Sequence, residues 1–150
     1  MVVTLAASGC AGIDTGSGSG QIGESRGVQI NGQPVKASLT KVIDPLVGPG
    51  INPDKGWRFI GLKMRYNNHS SQMVEFQPVE KLKLMAAWRP LSPGRVDGGE
   101  CATEFAFGIQ IAPNSYDAGC VVFEAPIGIK PSSLQMQSGT GNQKVTWKLH

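Results

Sequence analysis

From Gly27 onward, apolar residues alternate with polar ones instead of recurring every three or four positions. A period of two marks half-buried strands. Val28 and Ile30 predict a first short strand, and Asn31-Gly32 supplies hairpin-turn chemistry. Val35, Ala37 and Leu39 predict the second strand, which reaches Val42-Ile43. Pro45, Gly48, Pro49, Gly50 and Pro53 then make Asp44 to Gly56 a loop. The clearest strand is Trp57 to Tyr66, where Ile60, Leu62, Met64 and Tyr66 point one way and Lys63 and Arg65 the other. Asn67-Asn68 ends it. Met73, Val74 and Phe76 predict another strand, as do Leu82 and Leu84 against outward Lys81 and Lys83, ending near Trp88. A polar loop spans Pro90 to Glu100. Phe105, Phe107, Ile109 and Ile111 alternate up to a turn at Pro113-Asn114. Cys120 to Glu124 is apolar at its centre, as a central strand is, and Ala125-Pro126 stops it. Leu134 and Met136, then Val145, Trp147 and Leu149, close the series.

About seven to nine short strands without a long helix predict an all-β, immunoglobulin-like two-sheet β-sandwich. The 20 glycines and 10 prolines fit many turns. The 150 residues hold one ordinary domain, large enough to bury its own core. Net charge is +3 and no block of five like charges occurs, so no nucleic-acid partner is expected. No apolar stretch approaches the ~20 residues of a membrane-spanning helix.

The N-terminus reads differently. Val2-Val3-Thr4-Leu5-Ala6-Ala7 is apolar, and the small residues Ser8 and Gly9 precede Cys10. This segment resembles the lipobox of bacterial lipoproteins, in which the cysteine is lipidated and becomes the mature N-terminus. The resemblance implies a signal-peptide remnant over residues 1–9. It also implies a cell-membrane partner, through lipid on Cys10, at the extracytoplasmic face. Ordinary secretion is the alternative. Residues 10–26 are expected to be the lipidated cysteine and a flexible Gly/Ser-rich tether, because such a composition cannot bury enough apolar surface to fold. The domain is then 27–150. Gly16-Ser17-Gly18-Ser19-Gly20 is not read as a phosphate loop, since no strand precedes it and no Lys-Ser/Thr ends it.

Within the domain, three segments carry a second resemblance. They are Trp57-Arg-Phe-Ile-Gly-Leu-Lys-Met-Arg-Tyr-Asn67, then Val74-Glu-Phe76 with Lys81-Leu-Lys-Leu84, and later Gly119-Cys-Val-Val-Phe-Glu-Ala-Pro126. Their order is similar to that in an extracytoplasmic bacterial family, the domain of unknown function 4352, a telokin-like immunoglobulin-like sandwich. Actinobacterial members, with their final Trp147-Lys-Leu, resemble the chain most. The Cys…Trp…Cys frame of antibody domains is missing.

Cys101 and Cys120 flank two predicted strands that return on each other. A structural disulfide is expected there, worth roughly 3 kcal/mol for a loop of about 20 residues. Two buried thiols are the alternative. Zinc is disfavoured by spacing, and so is a Cys-x-x-Cys redox pair.

Catalytic residues are harder to find. His69 lies in the polar turn Asn67 to Ser71, and His150 is the last residue. No Gly-x-Ser-x-Gly occurs. Asp97, Glu100 and Glu104 lack the ordered oxygens of an EF-hand loop. Trp57 and Trp147 are expected in the core. Trp88-Arg89 ends a strand beside the Gly-rich loop, and an exposed Trp beside Arg is a common partner contact. Core-edge burial is the plainer alternative for Trp88. Lys63, Arg65, Lys81 and Lys83 could share one outward face and meet anionic headgroups or polymers, but a merely solvated sheet face is the plainer reading.

The sequence therefore predicts a non-enzymatic cell-surface binding or interaction module with no cofactor. Its partner would be an envelope protein or polymer. An accessory or inhibitor protein acting on an envelope enzyme is the alternative.

Overall fold

Alternation along each long strand sorts its side chains between a buried face and an outer one. The computed structural model describes residues 18–94, 96, 98–101 and 108–150. Its strands are β1 (Gly18–Gln21), β2 (Ser25–Ile30), β3 (Gln33–Ile43), β4 (Trp57–Asn68), β5 (Val74–Phe76) and β6 (Leu82–Ala86). They continue as β7 (Arg89–Pro90), β8 (Ser92–Gly94), β9 (Ile109–Ile111), β10 (Tyr116–Pro126), β11 (Ser133–Gln137) and β12 (Lys144–Lys148). A one-turn helix, Pro78–Lys81, leads into β6.

Two five-stranded sheets form, in the orders β1-β12-β11-β6-β7 and β2-β3-β4-β10-β8, with β5 and β9 as a separate pair. The inner faces meet in one core containing Val28, Leu39, Ile60, Leu62, Tyr66, Leu84, Phe123, Leu134 and Trp147. The Tyr66 and Phe76 rings meet edge-on with centroids 5.0 Å apart. Burial raises the Tyr66 phenol above its ordinary value. The expected β-sandwich is present. Segments of two to four residues bring the strands among the described residues to twelve.

Several details depart from expectation. Residues 18–26, expected in the flexible tether, belong to the sandwich instead: Gly18–Gln21 pairs in parallel with Val145–Lys148, and Ser25 and Arg26 begin β2. Composition denies this Gly/Ser segment a core of its own, but backbone pairing needs no side chains. The edge of β12 provides that pairing, and the Trp147 indole nitrogen donates to the Glu24 carbonyl at 3.0 Å. Met73 is exposed and precedes β5. Phe105 and Phe107 lie outside the described residues.

The loop after β3 and the turn Gly99–Cys101 fold over the outer face of β4 and β10. There Leu46, Ile51, Cys101, Cys120 and Val122 form a second, smaller apolar cluster. Cys101 and Cys120 are disulfide-bonded, with Cα atoms 5.3 Å apart. The bond clips the turn onto the middle of β10. Gly61, opposite Val122, leaves room for it: a Cβ there would lie 2.6 Å from the Cys101 sulfur.

Candidate binding site

The sandwich has two distinct ends. At one end β1 begins, with Gly18 beside Val145. The Asn31-Gly32 hairpin lies at the same end, since Gln29 bonds Ser138 and Gly139 close to β12. At the other end β6 turns into β7, and β4 begins where β10 ends, with Trp57 opposite Pro126.

The β6–β7 hairpin shows how the second end is built. Ala86 pairs with Arg89, leaving Ala87 and Trp88 at the tip. Ala87 has φ of 54°, a left-handed backbone that side chains disfavour. Trp88 is 80% exposed, and the Arg89 guanidinium lies 5.6 Å from its ring centroid. After Pro90 the chain crosses to the other sheet, where Ser92–Gly94 pairs with Val122–Glu124.

Trp57 faces the same opening. It is expected in the core but is 43% exposed, because it occupies the first position of β4, beyond the reach of the opposite sheet. Trp147 is fully buried, as expected. Arg58 secures the neighbouring loop. Its guanidinium donates to both Asp44 oxygens (2.6 and 3.0 Å), to the Pro126 carbonyl (2.6 Å) and to the Ile129 carbonyl (2.8 Å). The hydrogen bond to Asp44 raises the Arg58 pKa above its ordinary value.

Between the hairpin and residues 126–130 lies an open cleft of about 510 Å³. Trp57, Trp88, Ile129, Arg89, Lys130 and Glu124 are among its lining residues. The volume falls within the range of ligand sites, roughly 300–1,000 Å³. The lining supplies two indoles, an aliphatic patch, two cations and one carboxylate. Sequence reasoning singled out Trp88 and Arg89. It missed Trp57, Glu124, Ile129 and Lys130, which only the meeting of three segments brings together. The one local signal for Trp57 is its place directly after the Asp54-Lys55-Gly56 turn.

Lys63, Arg65, Lys81 and Lys83 do not share a face. Lys63 and Arg65 belong to β4, in one sheet, while Lys83 belongs to β6 in the other and Lys81 ends the one-turn helix that leads into β6. The outer sides of a sandwich face away from each other. Lys63 lies 3.8 Å from Glu100, which also pairs with Lys41, and Arg65 stacks over Tyr116 at 3.9 Å. Lys81 and Lys83 instead line a shallow polar depression with Lys144.

Among the described residues, no three His, Cys, Asp or Glu side chains lie close enough to hold a metal. Asp97 and Glu104 fall outside those residues. His69 sits in a turn organised by Asn68, which is buried to 1% exposure. The Asn68 amide donates to the carbonyls of Gln72 (2.7 Å) and Ile111 (2.9 Å), and its oxygen accepts from the Ser70 hydroxyl (2.7 Å). Cys10 lies outside the described residues. Among them, no helix is long and apolar enough to cross a membrane.

No protein-family model matches the chain, and no curated protein matches it. Solved structures do resemble it in fold. The yjhA protein of Bacillus subtilis aligns with a TM-score of 0.61 at 14% identity, covering 87% of this chain and 98% of its own. A secreted protein of Mycobacterium tuberculosis aligns with a TM-score of 0.58 at 15% identity, over 87% of this chain and 95% of its own. The presumptive lipoprotein ycdA of Bacillus subtilis aligns with a TM-score of 0.58 at 14% identity over 83% of this chain. The chain spans 38% of the length of ycdA. At such identities the likeness concerns the β-sandwich fold.

Proposed function

We propose that the protein is a non-enzymatic, extracytoplasmic binding module, held at the membrane by lipid on Cys10, that engages its partner through the Trp57–Trp88 cleft. One observation carries this reading: two exposed tryptophans, on different segments, line a single cleft. Leaving an indole in water forgoes roughly 2–3 kcal/mol of burial. Exposed Trp and Arg are also enriched among residues that dominate binding energy.

The location has its own support. A disulfide persists in an oxidising compartment. The segment ending at Cys10 resembles a lipobox, and the fold neighbours include a presumptive lipoprotein and a secreted protein. The resemblance to the domain of unknown function 4352, in its actinobacterial form, belongs to the same reading. Eight residue steps from Cys10 to Gly18 span at most about 28 Å. The domain would thus hang close to the membrane by its Gly18 end, with the cleft at the far end facing outward. One acyl chain binds reversibly, so stable retention calls for two or three.

Two measurements on intact cells test the proposal. Cys10→Ala should move the protein from the membrane fraction to the soluble one. A photo-crosslinking residue at Ala87 should capture an envelope component, and the same residue at the opposite end, at Asn142, should not. Unchanged fractionation ends the anchoring claim, and equal capture at both ends ends the cleft claim. If the captured component is an envelope enzyme whose activity changes on binding, the accessory or inhibitor reading gains the ground.

A further inference from the structure

We infer that the occupant of the Trp57–Trp88 cleft is a polysaccharide chain, with sugar rings lying on the indoles and their hydroxyls or carboxylates meeting Arg89, Lys130 and Glu124. The inference rests on the binding reading above and names its ligand class.

A pyranose ring has two chemical aspects. Its face presents C–H groups, and its rim presents hydroxyls that both donate and accept. A matching site needs a flat apolar platform and polar groups of both senses beside it. Trp57 and Trp88 supply platforms that are open to solvent. Arg89 and Lys130 donate, and Glu124 accepts. Two cations against one carboxylate favour chains that carry acidic sugars.

The two walls of the cleft are shaped by local structure. Trp88 stands on a hairpin tip that keeps Ala87 in a strained backbone conformation, and such strain is concentrated at ligand clamps. On the opposite side, Arg58 ties Pro126 and Ile129 to Asp44. A tryptophan side chain has only two rotatable bonds, so it loses little entropy when a ligand settles on it.

Other occupants fit less well. A small apolar ligand needs enclosure over most of its surface, and Trp88 at 80% exposure gives none. A peptide adding a strand needs a free ladder. The β7 edge is two residues long, and Pro90 has no N–H to donate.

The test titrates the intact chain with three hexasaccharides, built from glucose, N-acetylglucosamine and galacturonic acid. Calorimetry and tryptophan emission provide the readout. At least one should bind saturably and change the emission, with galacturonate the tightest. Trp57→Ala and Trp88→Ala should each weaken that binding by roughly tenfold or more. Arg89→Gln should weaken the acidic probe and spare the neutral ones. Trp88 is 80% exposed, so Trp88→Ala should keep the wild-type melting temperature, and both variants should keep the emission of buried Trp147, which shows that they are folded. Three silent titrations, or binding that survives both Trp→Ala changes, overturn the inference. Neutral probes binding tighter than galacturonate would overturn the acidic preference and support the sugar platform. Capture of an envelope protein at Ala87, together with silent sugars, removes this ligand class and leaves the binding module standing.

Discussion

At the scale of single residues, two positions show chemistry that alternation alone conceals. Gly61 falls in a strand on the outer face, where the pattern allows any polar residue. Its missing Cβ instead makes space for the Cys101 sulfur, which would lie 2.6 Å from that atom. Gly61→Ala should therefore cost about 1–3 kcal/mol of stability, as overpacking does. Urea unfolding measures it, and the cost should shrink when Cys101→Ser and Cys120→Ser are added. An undiminished cost would mean that the glycine serves the backbone instead. Asn68 is the second case. Sequence reading took it for a strand stop, but its amide reaches carbonyls on two sides of a turn while its oxygen holds Ser70. A buried amide so bonded organises a loop. Partners 43 and 44 residues away carry part of that role, and no local window contains them.

At the scale of elements, the turn Gly99–Cys101 shows how a loop becomes part of a sheet's cover. The disulfide fixes one end, and Glu100 pairs with Lys41 on β3 and Lys63 on β4. The hydrogen bond and charge of Lys41 hold the Glu100 carboxyl below its ordinary range, with Lys63 adding to the shift. A carboxyl whose pKa is depressed in the folded state favours folding above its unfolded pKa. That contribution fades as the pH falls through the folded value. The melting-temperature difference between the protein and Glu100→Gln should thus be present at neutral pH and disappear in acid. Because the pair is exposed, added salt should shrink it too. A difference that grows on acidification would contradict this assignment. In the sequence, Glu100 stands only as part of an acidic loop that lacks the ordered oxygens of an EF-hand. Its lysine partners come from two other strands, which explains why neither was foreseen.

At the scale of the whole molecule, the ladder of β1 on β12 joins the N-terminal segment to the sandwich. Removing residues 18–21 from a chain that begins at Gly18 should cost about 1–3 kcal/mol in lost backbone bonds. It should also bare the β12 edge and promote concentration-dependent association. Thermal melts and light scattering of the two chains decide this, and identical behaviour would mean that β1 bears no weight. Much of the fold was legible in the chain because a strand's two faces repeat every second residue. Val35, Ala37 and Leu39, or Ile60 through Tyr66, declare their buried side without reference to any partner. The hairpin at Asn31-Gly32 and the cysteine pair could be read in the same local way. Partner strands lie outside that reach. The tertiary structure alone decided that Gly18–Gln21 pairs with a strand more than a hundred residues away, and that Lys63 and Lys83 face opposite directions. It alone placed Trp57 beside Trp88 at one end. The physical reason is that burial periodicity is a property of one strand, whereas a site at the end of a sandwich is assembled from loops joined only through the packing of two sheets.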